Sequence, residues 1–187
     1  MEGWMIALIV IGAIVLLILL FLGTTYNSLV SLRNKVKDQW SQIDVLLKRR
    51  TDLIPNLVET VKGYAKHESE TLENVIAARN KVVDAKTTEE EIKADGELSR
   101  ALGRLMAVAE SYPDLKANTN FLDLQANLKE TEDKIQYARQ FYNDAVLVYK
   151  NKLEMFPSNI VAAMFGFKPE AFFEASEADK EVPKVQF

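Results

Sequence analysis

Residues 26–64 read YNSLVSLRNKVKDQWSQIDVLLKRRTDLIPNLVETVKGY and carry a continuous apolar stripe. Its members recur at steps of three and four, which predicts one long amphipathic helix: Leu29, Val36, Ile43, Leu57 and Tyr64, flanked by Trp40, Leu47, Ile54 and Val61. Because the stripe stays in phase through Pro55, we expect a kink there and a helix that continues beyond it. A helix with one apolar face has to pack along other helices, which the rest of the chain supplies.

Directly before this helix, residues 5–22 (MIALIVIGAIVLLILLFL) contain no charge. A helix of that length extends about 27 Å, close to the ~30 Å hydrocarbon core of a bilayer, so we predict a membrane anchor. A buried core helix and a cleaved signal peptide are the alternatives. The second is disfavoured because the N-terminal region holds Glu2 and no basic residue, and Leu22-Gly23-Thr24 is a poor cleavage site.

The charges that flank the span predict its orientation. Arg33, Lys35 and Lys37 follow it, whereas no basic residue precedes it. The positive-inside rule therefore predicts a single-pass protein of the cytoplasmic membrane, with a short N-terminus outside and the large helical part in the cytoplasm.

Two further helices are predicted before residue 113. Residues 67–86 carry an apolar face formed by Leu72, Val75, Ile76, Val82 and Val83. Thr88 and Glu91 match a capping box, so a third helix is expected to begin near Glu89. Pro113 ends that helix.

The last long helix is predicted over residues 120–154, with Asn120 as its N-cap and an apolar stripe that extends to Phe156. Ser158 is expected to cap a short helix that Gly166 closes, and a second short helix is expected to begin at Pro169. We expect the mostly polar residues from 177 onward to be loosely held.

The connections at residues 86–88 and 113–120 are short, which makes neighbouring helices antiparallel. We therefore predict an all-α chain in which an N-terminal transmembrane helix precedes an antiparallel four-helix bundle with long helices. The predicted divisions are a membrane anchor over 1–25, a helical bundle over 26–156, and short C-terminal helices and a tail over 157–187.

Composition argues against several classes of function. A net charge of −4 and a pI near 5.2 disfavour nucleic acid as a partner. The chain has no Cys and one His, so a site built from several Cys or His ligands is excluded, and we expect no metal or cofactor. It contains neither Gly-x-Ser-x-Gly nor a glycine-rich phosphate loop, and we predict that it is not an enzyme.

Four charged residues fall on or beside the apolar stripes: Arg50, Arg79, Glu132 and Arg139. A charge at such a position must pair with another charge or reach water. One interpretation is a buried ion-pair network that sets the helix register. The other is an internal site for an anion or ligand.

Four phenylalanines near the C-terminus form a candidate docking patch: Phe165, Phe167, Phe172 and Phe173. They either cover the open end of the bundle or stay exposed as a protein-binding surface. If neither holds, the polar face of the fourth helix around Lys129, Asp133 and Tyr137 is the next candidate.

Several strings resemble the LemA family: YNSL, RRTDLIPNLVETVKGYAKHE, SYPDLKAN, FLDLQANL, the run from Glu132 to Asn143, and the IVA and FFE segments. The resemblance covers the chain after the span nearly end to end. It implies an N-terminal membrane helix with a short extracellular N-terminus and an antiparallel helical bundle of the bacterial cell envelope. The resemblance does not imply any enzymatic reaction.

Two hypotheses follow. The first is a membrane-tethered interaction or scaffold module, held in the lipid bilayer by residues 5–22 and binding a protein partner without catalysis. The second is a ligand-binding bundle with a polar interior, or a hydrolase that uses carboxylates such as Glu132 with Asp144 or Glu154.

Overall fold

A computed structural model of the protein describes residues 2–173, which form six helices and no strand. The helices are α1 (Gly3–Tyr64), α2 (Ser69–Asp84), α3 (Thr88–Ala109), α4 (Pro113–Lys116), α5 (Thr119–Glu154) and α6 (Ser158–Met164). The prediction of an all-α chain is confirmed for this range.

Helix α1 is continuous over 62 residues and passes through Pro55, so the predicted continuation beyond that proline is confirmed. Its N-terminal part is long and apolar enough to cross a membrane, and none of that apolar window is buried within the protein. The first buried side chain on α1 belongs to Thr25. The rest of the chain therefore begins to cover α1 three residues after the apolar stretch ends.

The described residues form two compact units. The terminal unit contains residues 2–39 and 142–170, and the central unit contains residues 40–141 and 171–173. Helices α1 and α5 each contribute residues to both. The boundaries predicted from the sequence, after residues 25 and 156, stay predictions.

The central unit has one apolar core, to which α1 through α5 all contribute: Ile54, Leu57, Val58, Val61, Ala65, Leu72, Val75, Ala78, Val82, Ala94, Leu98, Leu102, Leu105, Ala109, Leu115, Phe121 and Leu128. Helix α2 faces this core with Ala78, whereas Ile76 and Val83, which the sequence analysis placed on its buried face, are exposed. The apolar residues of α2 permit two choices of buried face. Packing against α3 selects the face that contains Ala78.

Helices α2 and α3 pair in opposite directions. The Lys81 ammonium lies 2.6 Å from the Glu97 carboxylate, and the Tyr112 hydroxyl donates to Glu68 over 3.1 Å. Burial, aided by Glu68, raises the pKa of Tyr112. Glu68 directly precedes α2 and Tyr112 follows α3, whereas Lys81 and Glu97 lie within these helices. The partners therefore advance along α2 as they recede along α3, and the two helices form an antiparallel hairpin.

Both predicted N-caps in the central unit lie one or two residues too late. The hydroxyl of Thr87, not Thr88, accepts the Glu90 N–H, and the Glu90 carboxylate accepts the Lys86 N–H. Asn118, not Asn120, accepts the Phe121 N–H at the start of α5. Neighbouring Thr and Asn residues offer the same chemistry, so the sequence pattern did not distinguish them.

The terminal unit packs the part of α1 that follows the apolar stretch with the end of α5 and with α6. Its buried side chains include Leu29, Val36, Tyr142, Val146, Tyr149, Val161 and Ala162. Helix α6 ends at Met164, and the chain leaves it through Gly166, which has a φ of 68°. The N–H groups of Gly166 and Phe167 donate to the carbonyls of Ala163 and Ala162, which is a Schellman closure.

Three predictions at this end of the chain are wrong. Ser158 does not cap α6; its hydroxyl donates to the carbonyls of Lys152 and Met155 and so closes α5. Phe156 is 81% exposed and lies outside the core. Residues 167–173 form no helix, while the expected tail from residue 177 lies outside the described residues.

Candidate functional site

The interior of the central unit contains a charged cluster centred on Asp95, here called the Asp95 cluster. One carboxylate oxygen of Asp95 lies 2.8 Å from Arg50 Nη1, and the other accepts from Arg139 Nη2. Arg50 Nη1 is also 2.9 Å from Glu132, and Arg50 Nη2 donates to the Ser99 hydroxyl over 2.8 Å. The cluster thus holds two cations and two anions.

Three helices supply these groups. Arg50 lies on the α1 stripe seven residues after Ile43, and its side chain is only 3% exposed. Glu132 and Arg139 are seven residues apart on α5 and therefore on one face of it. Because both interior cations have carboxylate partners, the arrangement avoids the free-energy cost of an unpaired buried charge.

A groove of about 380 Å³, here called the α3–α5 groove, opens beside the cluster. Its polar lining consists of Arg50 and its partners Ser99 and Glu132, together with Gln125 and Lys129. The rest of its wall is apolar and is formed by Leu102, Gly103, Met106 and Leu128. Such a groove matches a small molecule that has a polar head and an apolar body.

Arg79 lies apart from the Asp95 cluster. Its Nε donates to the Thr51 carbonyl over 3.4 Å, and it lines a second cavity, of about 230 Å³, together with Asp44 and Glu91. Burial, with a smaller contribution from Asp44, raises the pKa of Glu91. Within residues 2–173, no group of three or more His, Asp or Glu side chains is arranged to hold a metal ion.

The four phenylalanines of the predicted docking patch divide between the two units. In the terminal unit, the rings of Phe165 and Phe167 lie 4.8 and 5.7 Å from the ring of Tyr26. In the central unit, Phe173 stacks on Trp40 at 5.6 Å, and the Arg139 guanidinium lies 5.2 Å from the Phe173 ring. Phe172 also belongs to the central unit and is partly buried.

The outer face of α5 in the central unit carries two exposed aromatic side chains, Tyr137 and Phe141. They are four residues apart and therefore neighbours on one side of the helix. Tyr137 was part of the second candidate surface, while Phe141 was not singled out. Of the carboxylates considered for hydrolysis, Glu132 belongs to the central unit, whereas Asp144 and Glu154 belong to the terminal unit.

Comparison with known proteins identifies the family of the chain. The model of the LemA family matches residues 39–187. The chain belongs to the LemA family. The resemblance found in the sequence strings is thereby confirmed.

Curated bacterial proteins that are similar to this LemA-family chain include one LemA protein and two MamQ proteins. Protein LemA of Metamycoplasma hominis is 29% identical over 157 residues, covering 82% of the chain and 71% of the relative. Magnetosome protein MamQ 2 of Paramagnetospirillum magneticum is 29% identical over 201 residues, covering 92% of the chain and 73% of the relative. Magnetosome protein MamQ of Magnetospirillum gryphiswaldense is 25% identical over 179 residues, covering 82% and 66%. None of these names states a reaction.

Asp95 is not among the site residues predicted from the sequence of this LemA-family chain. A signal for it was present, because Asp95 precedes Leu98 by three residues and Leu102 by seven, and so lies on the α3 stripe. Arg79 stands beside the α2 stripe, which predicts a place in the ion-pair network. Helix α2 instead positions it at the second cavity, with Asp44 and Glu91. The position of a charged residue on an apolar stripe predicts that it faces the interior. It does not predict which other charged residue it contacts.

Proposed function

We propose that this LemA-family chain is a membrane-tethered interaction module that binds a protein partner and catalyses no reaction. Residues 5–22 cross the cytoplasmic membrane, the N-terminus is outside, and the remaining helices lie in the cytoplasm. The exposed apolar part of α1 supports the anchor, and Arg33, Lys35 and Lys37 support the orientation.

In this proposal the part of α1 after the span, α2, α3 and α5 form an antiparallel four-helix bundle. The core shared by these helices and the opposed direction of α2 and α3 support that arrangement. The Asp95 cluster has a structural role in it, since charges paired across three helices favour one register over the alternatives.

The observation that carries the proposal is the exposed pair Tyr137 and Phe141. Each residue is at least 60% exposed on a helix whose opposite face is already used by the core. Aromatic residues are enriched at protein interfaces and contribute a large share of the binding free energy there. We therefore assign the partner-binding surface to this face of α5.

A photo-crosslinking amino acid at Phe141, introduced into the full chain in native membranes, tests the assignment. We expect one discrete protein adduct, and none from the same probe at Val83, which is similarly exposed on α2. Tyr137→Ala should remove most of the adduct, because losing an aromatic hot spot costs about 2 kcal/mol or more of binding. Equal adducts from both probes, or none from Phe141, would contradict the proposal.

The orientation has its own test, because the native chain contains no Cys. Ser111→Cys places a thiol at an exposed position of the central unit. A membrane-impermeant maleimide should label it only after the cytoplasmic membrane is broken. Labelling in intact spheroplasts would reverse the orientation.

A second candidate function is the binding of a small amphipathic molecule, and the α3–α5 groove favours it. Gly103 lines the groove, and a Cβ atom added there meets no other atom within 4 Å, so a larger side chain can be introduced at the groove wall. If a small amphiphile raises the melting temperature of the full chain, Gly103→Leu should abolish that rise. Gly96→Leu, on the same helix but outside the groove lining, should leave it unchanged and is the matched control.

A further inference from the structure

The junction of α5 and α6 presents an uncovered apolar surface in the terminal unit, here called the elbow surface. Its side chains are each more than half exposed: Met155, Phe156, Ile160, Met164 and Phe165. Ile160 and Met164 are four residues apart within α6 and therefore lie on one side of it, and Phe156 precedes them in the turn between α5 and α6. Isolated exposed apolar residues are ordinary, but a contiguous group marks a contact with another apolar phase.

Helix α6 is apolar on both of its sides. Val161 and Ala162 are buried against the protein, while Ile160 and Met164 face outward. Its sequence, SNIVAAM, contains no charge. An uncharged helix with apolar residues on two sides is favoured where both sides contact apolar groups, and the protein covers only one of them.

The elbow surface is held in a defined conformation. The Ser158 hydroxyl donates to the carbonyls of Lys152 and Met155 over 2.6 and 2.8 Å, which fixes the start of α6 to the end of α5. At the other end, the N–H of Phe167 donates to the Ala162 carbonyl over 3.0 Å. The exposed side chains therefore belong to a segment whose two ends are fixed by hydrogen bonds.

The position of Tyr26 locates the elbow surface along α1. Its ring packs on Phe165 and Phe167, and it lies four residues after Leu22, the last residue of the apolar stretch. Four helical residues extend about 6 Å, which is the depth of the headgroup region next to the hydrocarbon core. Thr25, at the same level, is already buried within the terminal unit.

We propose that the elbow surface inserts into the headgroup and acyl boundary of the membrane that holds α1. The occupant is lipid, because the surface continues the apolar stretch of α1 at the point where that helix leaves the hydrocarbon core. Apolar helix faces bind at this depth by burying their side chains about 5–10 Å below the surface. The contact gives the chain a second attachment, and it rests on the proposed transmembrane anchor.

Site-specific fluorescence in lipid vesicles tests the insertion on the full chain. Single cysteines at Ile160, Gly12 and Asn34 each carry an environment-sensitive dye, and the vesicles contain a lipid with a quencher on its acyl chain. Gly12 lies inside the span. Asn34 is exposed on α1, about 18 Å beyond Leu22, where the span ends. We expect the dye at Ile160 to be blue-shifted and quenched as at Gly12, while the dye at Asn34 is neither.

Three other outcomes would overturn the insertion, and they can be told apart. An Ile160 dye that behaves like the Asn34 dye, with Gly12 still quenched, overturns the insertion and leaves the anchor intact. A blue shift at Ile160 without lipid quenching overturns it in favour of a protein-covered surface. An unquenched Gly12 dye rejects the anchor itself, and the insertion with it. Met164→Cys provides a second probe of the same surface, and circular dichroism of each variant checks that it is folded.

Discussion

Two carboxylates one turn apart on α3 have opposite surroundings. Asp95 is almost fully buried and contacts the guanidinium groups of Arg50 and Arg139. Glu91 is partly buried near Asp44, and its Oε2 finds no hydrogen-bond donor among the described residues. The two residues share a helix, a face and a charge. The difference shows that the neighbouring helices decide whether an inward carboxylate contacts guanidinium groups or lies near another carboxylate.

Removing Asp95 should have the largest effect. Asp95→Ala leaves two guanidinium groups without their shared partner, and breaking such a buried pair costs about 3–5 kcal/mol of unfolding free energy. Chemical denaturation of the full chain measures the loss. Glu97→Ala is the matched control on the same helix, because Glu97 pairs with a largely exposed Lys81 and should cost at most ~1 kcal/mol. Similar losses for both variants would place Asp95 outside any essential pairing.

Glu132→Ala should cost less, about 1–3 kcal/mol, which is the range for a charge-assisted hydrogen bond. Glu132 is 31% exposed, and Arg50 keeps Asp95 and Ser99 when it is removed. The same denaturation measurement ranks the two carboxylates. A Glu132→Ala loss that exceeds the Asp95→Ala loss would show that Glu132, rather than Asp95, is the main partner of Arg50.

Glu91→Gln should raise the melting temperature slightly at pH 7. Burial and Asp44 raise the pKa of Glu91 in the folded state, so ionisation of this group at neutral pH weakens the fold. The penalty is complete above the raised pKa and disappears below the unfolded value of about 4.3. The gain from Glu91→Gln should therefore shrink as the pH falls through that window. A gain that grows toward low pH would reverse the assigned sign.

The smallest expected effect concerns the cause of the raised pKa of Glu91. Burial is the larger cause and the charge of Asp44 the smaller, so Asp44→Asn should lower the pKa of Glu91 only part of the way to its ordinary value. Side-chain carboxyl chemical shifts followed against pH measure it. A return to the ordinary value would make charge repulsion, instead of burial, the cause.

The amino-acid sequence by itself determined where the long helices lie and which faces α1, α3 and α5 bury. The helical character of all long segments, the apolar stretch over residues 5–22 and the inward position of Arg50 follow from spacing along the chain. These features are local, because a period of 3.6 residues fixes the face of every residue in a helix once the helix exists.

Only the tertiary structure decided which inward groups meet. Arg50 and Arg139 converge on Asp95, whereas Arg79 faces a cavity with Glu91. Phe156 continues the α5 stripe in sequence, but α5 ends at Glu154 and the chain turns the ring outward. A stripe repeats at every turn and so permits many offsets between neighbouring helices. The offset that is adopted minimises the free energy of packing and charge pairing across several helices at once, and that sum cannot be read from any one of them.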